Sequence, residues 1–206
     1  ILNEENRKKL LKIVDDVAQN DNAKQGTEEQ MIRDFYRSGM DTLSIESKGI
    51  IEINDLLTRI DNSTNITDIQ VLFGDLAPIG INTPIGLYIS ADSKNSKMNT
   101  VYAGQSGLNL PDRDYYLNDN PKFQDIRSSY KNHINKMMEM AGDLSSPGQA
   151  ILDLETAIAQ ISWSRLERRD PNKRYNKKNL IDWDNSLSII DVQSILTNRG
   201  FGAFDT

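Results

Sequence analysis

Apolar residues recur at helical spacing along most of this chain and at strand spacing in one stretch, and this change of period constrains the fold most. A period of 3.6 residues indicates an amphipathic helix, whereas alternation at every second residue indicates a half-buried strand. The helical period predicts helices over residues 3–19, 28–39, 42–60, 67–77, 123–141, 147–169 and 191–198.

Cap and breaker residues place several helix ends. Thr27, followed by Glu28-Glu29-Gln30, is a capping box at the start of the second helix. Gly49 is a weak point inside the third, and Gly142 is a C-terminal cap. Ser146 before Pro147 is expected to open the next helix. Its predicted buried stripe consists of Ile151, Leu154, Ile158, Ile161 and the stem of Arg165.

One stretch has the period of a strand. Ile85, Leu87 and Ile89 alternate with smaller or polar residues, and a second extended run at 98–103 follows a turn-forming segment. We therefore predict a mainly α, multi-helix domain with one β-hairpin at about residues 85–103. The hairpin edge could pair with an extended peptide, although packing within the domain is the simpler interpretation.

Charge and hydropathy exclude two kinds of partner. The chain has a formal net charge of −6, so we expect no nucleic-acid binding, which needs a clustered basic surface. The basic run Arg165–Lys178 alternates with acids and is interpreted as a solvated helix end rather than a phosphate site. No segment reaches the ~20 apolar residues of a transmembrane helix. The chain opens at Ile1 without Met, which suggests a piece of a longer protein.

The chain carries no constellation typical of an active site. It has no cysteine and one histidine, His133, which we interpret as a half-buried helix residue. Zinc sites draw on several His or Cys ligands, and neither H-E-x-x-H nor a phosphate-binding loop is present. Asp112 and Asp114 flank Arg113 at a helix start and are not expected to face the same way. We predict no catalytic and no metal-ligating residue in this chain.

The stretch G-L-N-L-P-D-R-D-Y-Y-L, Gly107 to Leu117, is too particular for a simple connector. Gly107 permits a turn, and Pro111 is expected to begin a helix. As a whole it resembles the G-L-x-L-P-x-R-D-Y-Y signature of the neprilysin-like zinc metallopeptidases, peptidase family M13. Three more segments match that family in order: F-Y-R-S-G-M-D from Phe35, L-D-L-E-T-A-I-A from Leu152, and R-R-D-P-N-K-R-Y-N-K from Arg168.

The resemblance implies that residues 1–206 form the N-terminal helical cap region of a zinc endopeptidase acting on oligopeptides. The family's zinc ligands lie in H-E-x-x-H and E-x-x-x-D segments further along. The resemblance thus implies zinc in the parent but none bound by this chain, and a C-terminal catalytic domain of the same protein as partner. Arg113 and Tyr115 are the candidates for substrate contact.

Two departures refine this interpretation. Gly39 stands where animal members carry a disulfide-forming cysteine, which suggests a bacterial member. The resemblance alone implies a location outside the cytoplasm (periplasmic, lipid-anchored or secreted). Lys178-Asn179 replaces the usual Met-Thr.

The alternative to a peptidase cap is a free-standing, non-catalytic helical module that binds peptides or a protein. We expect exposed apolar surface where a partner domain belongs.

Overall fold

The computed structural model describes residues 2–187, 191–198 and 200, and the chain divides into two compact units, Ile1–Leu56 and Leu57–Thr206. Within the described residues there are eleven α-helices and one two-stranded antiparallel sheet, which confirms the predicted fold class.

The first unit is built on a pair of helices. It contains α1 (Leu2–Ala18), α2 (Glu28–Met40), α3 (Thr42–Lys48) and a 3₁₀ turn at Ile51–Ile53. Arginines of α2 satisfy carbonyls at the end of α1, which have no partner within their own helix. Arg37 Nε donates to the Ala18 carbonyl at 2.7 Å, and Arg33 Nη1 donates to that of Asn20 at 3.1 Å.

The predicted capping box is confirmed, whereas the predicted third helix is confirmed at its start and is interrupted at the weak point Gly49. Thr27 Oγ1 accepts from the Gln30 N–H at 3.3 Å, while Gln30 Oε1 accepts from the Gly26 N–H at 3.0 Å. The helix expected over 42–60 ends at Lys48, because Gly49 has a φ of +53° and reverses the chain. Helix resumes only in α4 (Asn54–Asp61), which crosses the boundary between the units.

One part of the second unit consists of a helix, a hairpin and the last described helix. The last helix packs against the helix that precedes the hairpin. Asn65 caps α5 (Ile66–Leu76), against which the last described helix, α11 (Val192–Asn198), packs. Their contact buries Leu72 and Leu76 of α5 with Ile195 and Leu196 of α11. The hairpin consists of β1 (Ile85–Asp92) and β2 (Asn95–Gln105), so it extends two residues beyond the predicted end.

The signature stretch and two long helices form the centre of the second unit. The elements are α6 (Asp114–Leu117), α7 (Pro121–Met140), α8 (Gly148–Ile161), α9 (Pro171–Arg174) and α10 (Leu180–Leu187). Gly142, with a φ of +93°, ends the turn after α7 as predicted. His133 is exposed on α7 rather than half-buried, because the inward side of that turn is taken by Ile134.

Helix α8 departs most from its prediction. Two members of the predicted buried stripe, Leu154 and Ile161, are 63% and 84% exposed, whereas Leu152, Glu155 and Ala159 are buried. The helix also starts after Pro147, without a side-chain cap from Ser146, and ends at Ile161. Arg165 therefore lies beyond the helix. Glu155 is buried, so the side of α8 that points inward is not the side that the apolar period indicates.

Candidate functional site

The signature stretch Gly107–Leu117 runs beside α8 and starts at a position that only glycine fits. Gly107 has a φ of +85°, and a Cβ added there would lie 3.1 Å from Pro84 Cα. Helix α6 begins three residues after Pro111, so the predicted helix-initiating role of Pro111 is wrong. The turn is instead stabilised by Asp112, whose Oδ1 accepts from the Asp114 N–H at 2.8 Å.

A buried glutamate of α8 holds this stretch in place. Glu155 is 4% exposed and accepts hydrogen bonds from Asn109 Nδ2 at 2.6 Å, Tyr116 OH at 2.5 Å and Tyr130 OH at 2.9 Å. Tyr116 OH in turn accepts from the Leu110 N–H at 2.9 Å. Buried carboxylates are tolerated when donors surround them. Glu155 therefore ties the signature stretch, α7 and α8 together.

The two tyrosines that donate to Glu155 remain neutral. Burial, and next the hydrogen bond to Glu155, raise the pKa of Tyr116 well above its ordinary value. The same two causes raise the pKa of Tyr130 to about 12. Both hydroxyls therefore keep their protons over the physiological range. The cluster of Glu155 with Asn109, Tyr116 and Tyr130, called the Glu155 lock below, stabilises the structure and is not an acid–base pair.

The two aspartates flanking Arg113 have separate environments, as predicted. Asp112 is buried and forms an ion pair with Arg165 Nε at 2.6 Å, whereas Asp114 is exposed. Arg113 Nη1 donates to the Ser162 carbonyl at 2.6 Å, just beyond the end of α8. These contacts join the signature stretch to the segment after α8.

The structure separates the two candidate substrate residues. Arg113 lines an open groove with Leu110, Pro111 and Arg168. Tyr115 packs edge-on against Phe123, with ring centroids 5.1 Å apart, and its carbonyl accepts from Arg127 at 2.9 Å. Tyr115 does not line that groove, and substrate contact by either residue remains a prediction.

A second lock joins the hairpin to the R-D-P-N-K-R-Y-N-K segment. Asp92, at the end of β1, is 1% exposed and pairs with Lys177 Nζ at 2.7 Å. Tyr175 OH donates to the same carboxylate, at 3.1 Å from Oδ1 and 3.2 Å from Oδ2, and the Lys94 N–H donates at 2.8 Å. The Lys177 ammonium foremost, then the Lys94 N–H, lower the pKa of Asp92 to about 2, although burial opposes them.

The lowered pKa predicts how the Asp92 lock responds to acid. A carboxylate with a pKa near 2 stabilises the fold fully above its ordinary value of about 3.9, and that stabilisation disappears as pH falls toward 2. We expect Asp92→Asn to unfold at lower urea concentration than wild type at pH 5–7, with the difference vanishing near pH 2. A difference independent of pH would contradict this. Asp153→Asn, on an exposed face of α8, is the matched control and is expected to change the midpoint little.

Sequence reasoning missed Glu155 and Asp92 as the centres of these locks. Glu155 lies inside a segment quoted for the family resemblance, and Asp92 lies in a segment interpreted only as a turn. The sequence did indicate that acceptors would be required, because the segments that match the family contain tyrosine, lysine and asparagine side chains that donate hydrogen bonds. It could not indicate which of the many carboxylates would accept.

The described residues offer neither a cluster of metal ligands nor a membrane-spanning helix. Within residues 2–187, 191–198 and 200, no group of three or more His, Asp or Glu side chains is placed to hold a metal ion. Among the same residues, no helix has the length and apolar character needed to cross a bilayer.

The fold of this chain is similar to part of a solved zinc metalloprotease. The model of peptidase family M13 for the N-terminal region matches residues 1–206. The chain belongs to peptidase family M13, which confirms the resemblance of its four segments.

Curated relatives and solved structures agree with this family. Endothelin-converting enzyme 1 of Homo sapiens is 29% identical over 181 residues, covering 80% of this chain and 23% of the relative. Neprilysin-11 of Caenorhabditis elegans is 26% identical, covering 78% and 21%. The crystal structure of the Mycobacterium tuberculosis zinc metalloprotease ZMP1 with an inhibitor has a TM-score of 0.81 at 27% identity, covering 96% of this chain and 30% of that chain. The chain thus spans less than a third of each of these proteins.

Proposed function

We propose that residues 1–206 are the cap region of a zinc metalloendopeptidase that hydrolyses oligopeptides, and that they shape its substrate chamber. The observation that carries the proposal is the family M13 match over the whole chain, together with the TM-score of 0.81 to a zinc metalloprotease. The zinc and the catalytic residues would come from a C-terminal domain of the same protein. We place the parent outside the bacterial cytoplasm.

The residues that the structure describes do not fit zinc. Its one histidine is exposed on α7, and the two most buried carboxylates with several donors, Asp92 and Glu155, are already engaged with ammonium, hydroxyl and amide groups. A zinc ligand needs a free lone pair and further ligands beside it. In the proposed function this chain forms a rigid wall of the substrate chamber.

Two features support a wall-forming role. The Glu155 lock joins the signature stretch to α7 and α8, and the Asp92 lock joins the hairpin to the segment that follows α9. Each unit also exposes large apolar side chains, with Phe35 and Leu43 more than 80% exposed in the first and Ile161 in the second. Exposed apolar groups of this kind mark surfaces that bind other protein.

A free-standing helical module that binds peptides or a protein is the second candidate. It is favoured by the same exposed apolar side chains, which would serve an external partner as well as a domain of the same chain. It predicts binding without cleavage.

The test uses the complete gene product and the 206-residue chain side by side. We expect the complete product to contain zinc by atomic absorption and to cleave an internally quenched decapeptide but not a folded protein, and the shorter chain to cleave neither. A complete product that binds peptides without zinc and without cleavage would refute the peptidase and favour the binding module.

A further inference from the structure

An open groove of about 250 Å³ lies in the second unit, between the signature stretch and the segment that follows α8. Leu108, Leu110 and Pro111 form its apolar side, and Arg113 and Arg168 bring cationic groups to it. Its volume is below the roughly 300–1,000 Å³ of sites that enclose a whole small ligand. The groove therefore suits one part of a longer molecule.

Both guanidinium groups keep donors available. A guanidinium carries five N–H donors, and half-buried Arg113 uses one of them on the Ser162 carbonyl at 2.6 Å. Within the described part of the chain, the side chain of Arg168 makes no hydrogen bond or ion pair. Donors of both guanidinium groups are therefore available to an acceptor that a ligand brings.

The acidic groups near the groove do not cancel this cationic character. Asp112 is paired with Arg165 and also accepts from the Asp114 N–H. Glu167 Oε2 accepts from the N–H and the hydroxyl of Ser164, both at 2.7 Å. Among the charged residues that line the groove, the guanidinium groups of Arg113 and Arg168 therefore stand against one carboxylate, that of Asp112, which is paired with Arg165.

We propose that this groove binds a carboxylate of a peptide, with Arg113 and Arg168 as donors and the Leu108–Pro111 side in contact with the adjoining residue. Guanidinium groups match carboxylates in geometry and bind them more strongly than neutral acceptors. The proposal rests on the proposed function only in taking peptides as the ligands. The carboxylate can belong to an acidic side chain or to a chain end.

The test measures binding of matched peptides to the complete gene product by calorimetry, with a chelator present to prevent hydrolysis. One peptide pair differs only in Glu against Gln, and the other only in a C-terminal acid against an amide. We expect one pair to show a preference of about tenfold for the carboxylate, and that pair identifies its source. Arg168→Gln should reduce the preference to within about twofold, while Arg169→Gln, the exposed neighbouring residue, should retain it.

Equal binding within both pairs, an unchanged preference in Arg168→Gln, or an equal loss in Arg169→Gln would each overturn the proposal. Competition by inorganic phosphate at the same concentration as acetate would also refute it, since the groove would then bind oxyanions in general. Cleavage of peptides by the untreated protein is scored separately. A preference lost in Arg168→Gln without any cleavage would refute the peptidase and leave the carboxylate site standing.

Discussion

Replacing Glu155 by alanine should lower the free energy of unfolding of the second unit by about 3 kcal/mol. The change leaves the buried Tyr116 hydroxyl without its acceptor and opens a space inside the contact between α7 and α8. Tyr130 and Asn109 lose the same acceptor, but they are less buried and can reach water, so the cost stays below the sum of three bonds. For a domain of this size the melting temperature should fall by roughly 6–12 °C.

Urea unfolding followed by far-UV circular dichroism measures this loss, with two control variants. Glu155→Gln keeps the shape and one acceptor oxygen and should cost only about 1 kcal/mol. Asp153→Ala, on the exposed face of the same helix, should stay within about 0.5 kcal/mol of wild type. If Glu155→Ala were no worse than Asp153→Ala, the hydrogen bonds to Glu155 would contribute nothing to stability.

A double-mutant cycle tests the partnership directly. Glu155→Met combined with Tyr116→Phe removes the acceptor and a donor together, so the pair should cost about 1–2 kcal/mol less than the two single changes added. Additive costs would show that the two side chains act independently.

The second large effect is expected at Gly148, where Gly148→Ala should cost about 2 kcal/mol. A Cβ there would lie 2.5 Å from Asn135 Oδ1 and 2.6 Å from the Lys131 carbonyl oxygen of α7. The same Asn135 oxygen accepts from the Gly148 N–H at 2.7 Å, so the displaced helix would also lose that bond. These costs exceed the stabilisation that the higher helix propensity of alanine brings, which is at most about 1 kcal/mol.

Gly39 provides a control of opposite sign. It lies within α2, and a Cβ there would meet no atom within 4 Å. Gly39→Ala should therefore stabilise its helix by about 0.5–1 kcal/mol. Hydrogen exchange of the α8 amides in one variant and the α2 amides in the other reports each effect locally. Equal changes at the two glycines would contradict the close approach of α7 and α8.

Most of the local structure followed from the sequence because it depends on neighbouring residues. The capping box at Thr27 depends only on a side chain within the first turn of its helix, and the helix end at Gly142 depends only on the φ angle of that glycine. The hairpin followed from the alternation of apolar residues in its first strand and from the turn residues between its strands. The break at Gly49 was underestimated, because a glycine within a helical period can either continue the helix or leave it, and the period does not distinguish the two.

The candidate site was predictable only in part. The signature stretch was recognised as a unit, and Asp112 and Asp114 were correctly separated. The roles of Glu155, Asp92 and Ser162 were not, and the inward face of α8 was assigned to Leu154 and Ile161, which are exposed. A count of apolar residues treats a glutamate as outward-facing, since burial of an unpaired carboxylate is costly.

By itself the sequence determined the helical class, the single hairpin and the family, because each is expressed in local periods and contiguous segments. The tertiary structure decided which carboxylates are buried and which face of α8 turns inward. The donors to Glu155 lie 46, 39 and 25 residues away along the chain, and those to Asp92 from Tyr175 and Lys177 lie 83 and 85 residues away. Burial becomes favourable only when the fold brings such distant donors together, and no local pattern reports that.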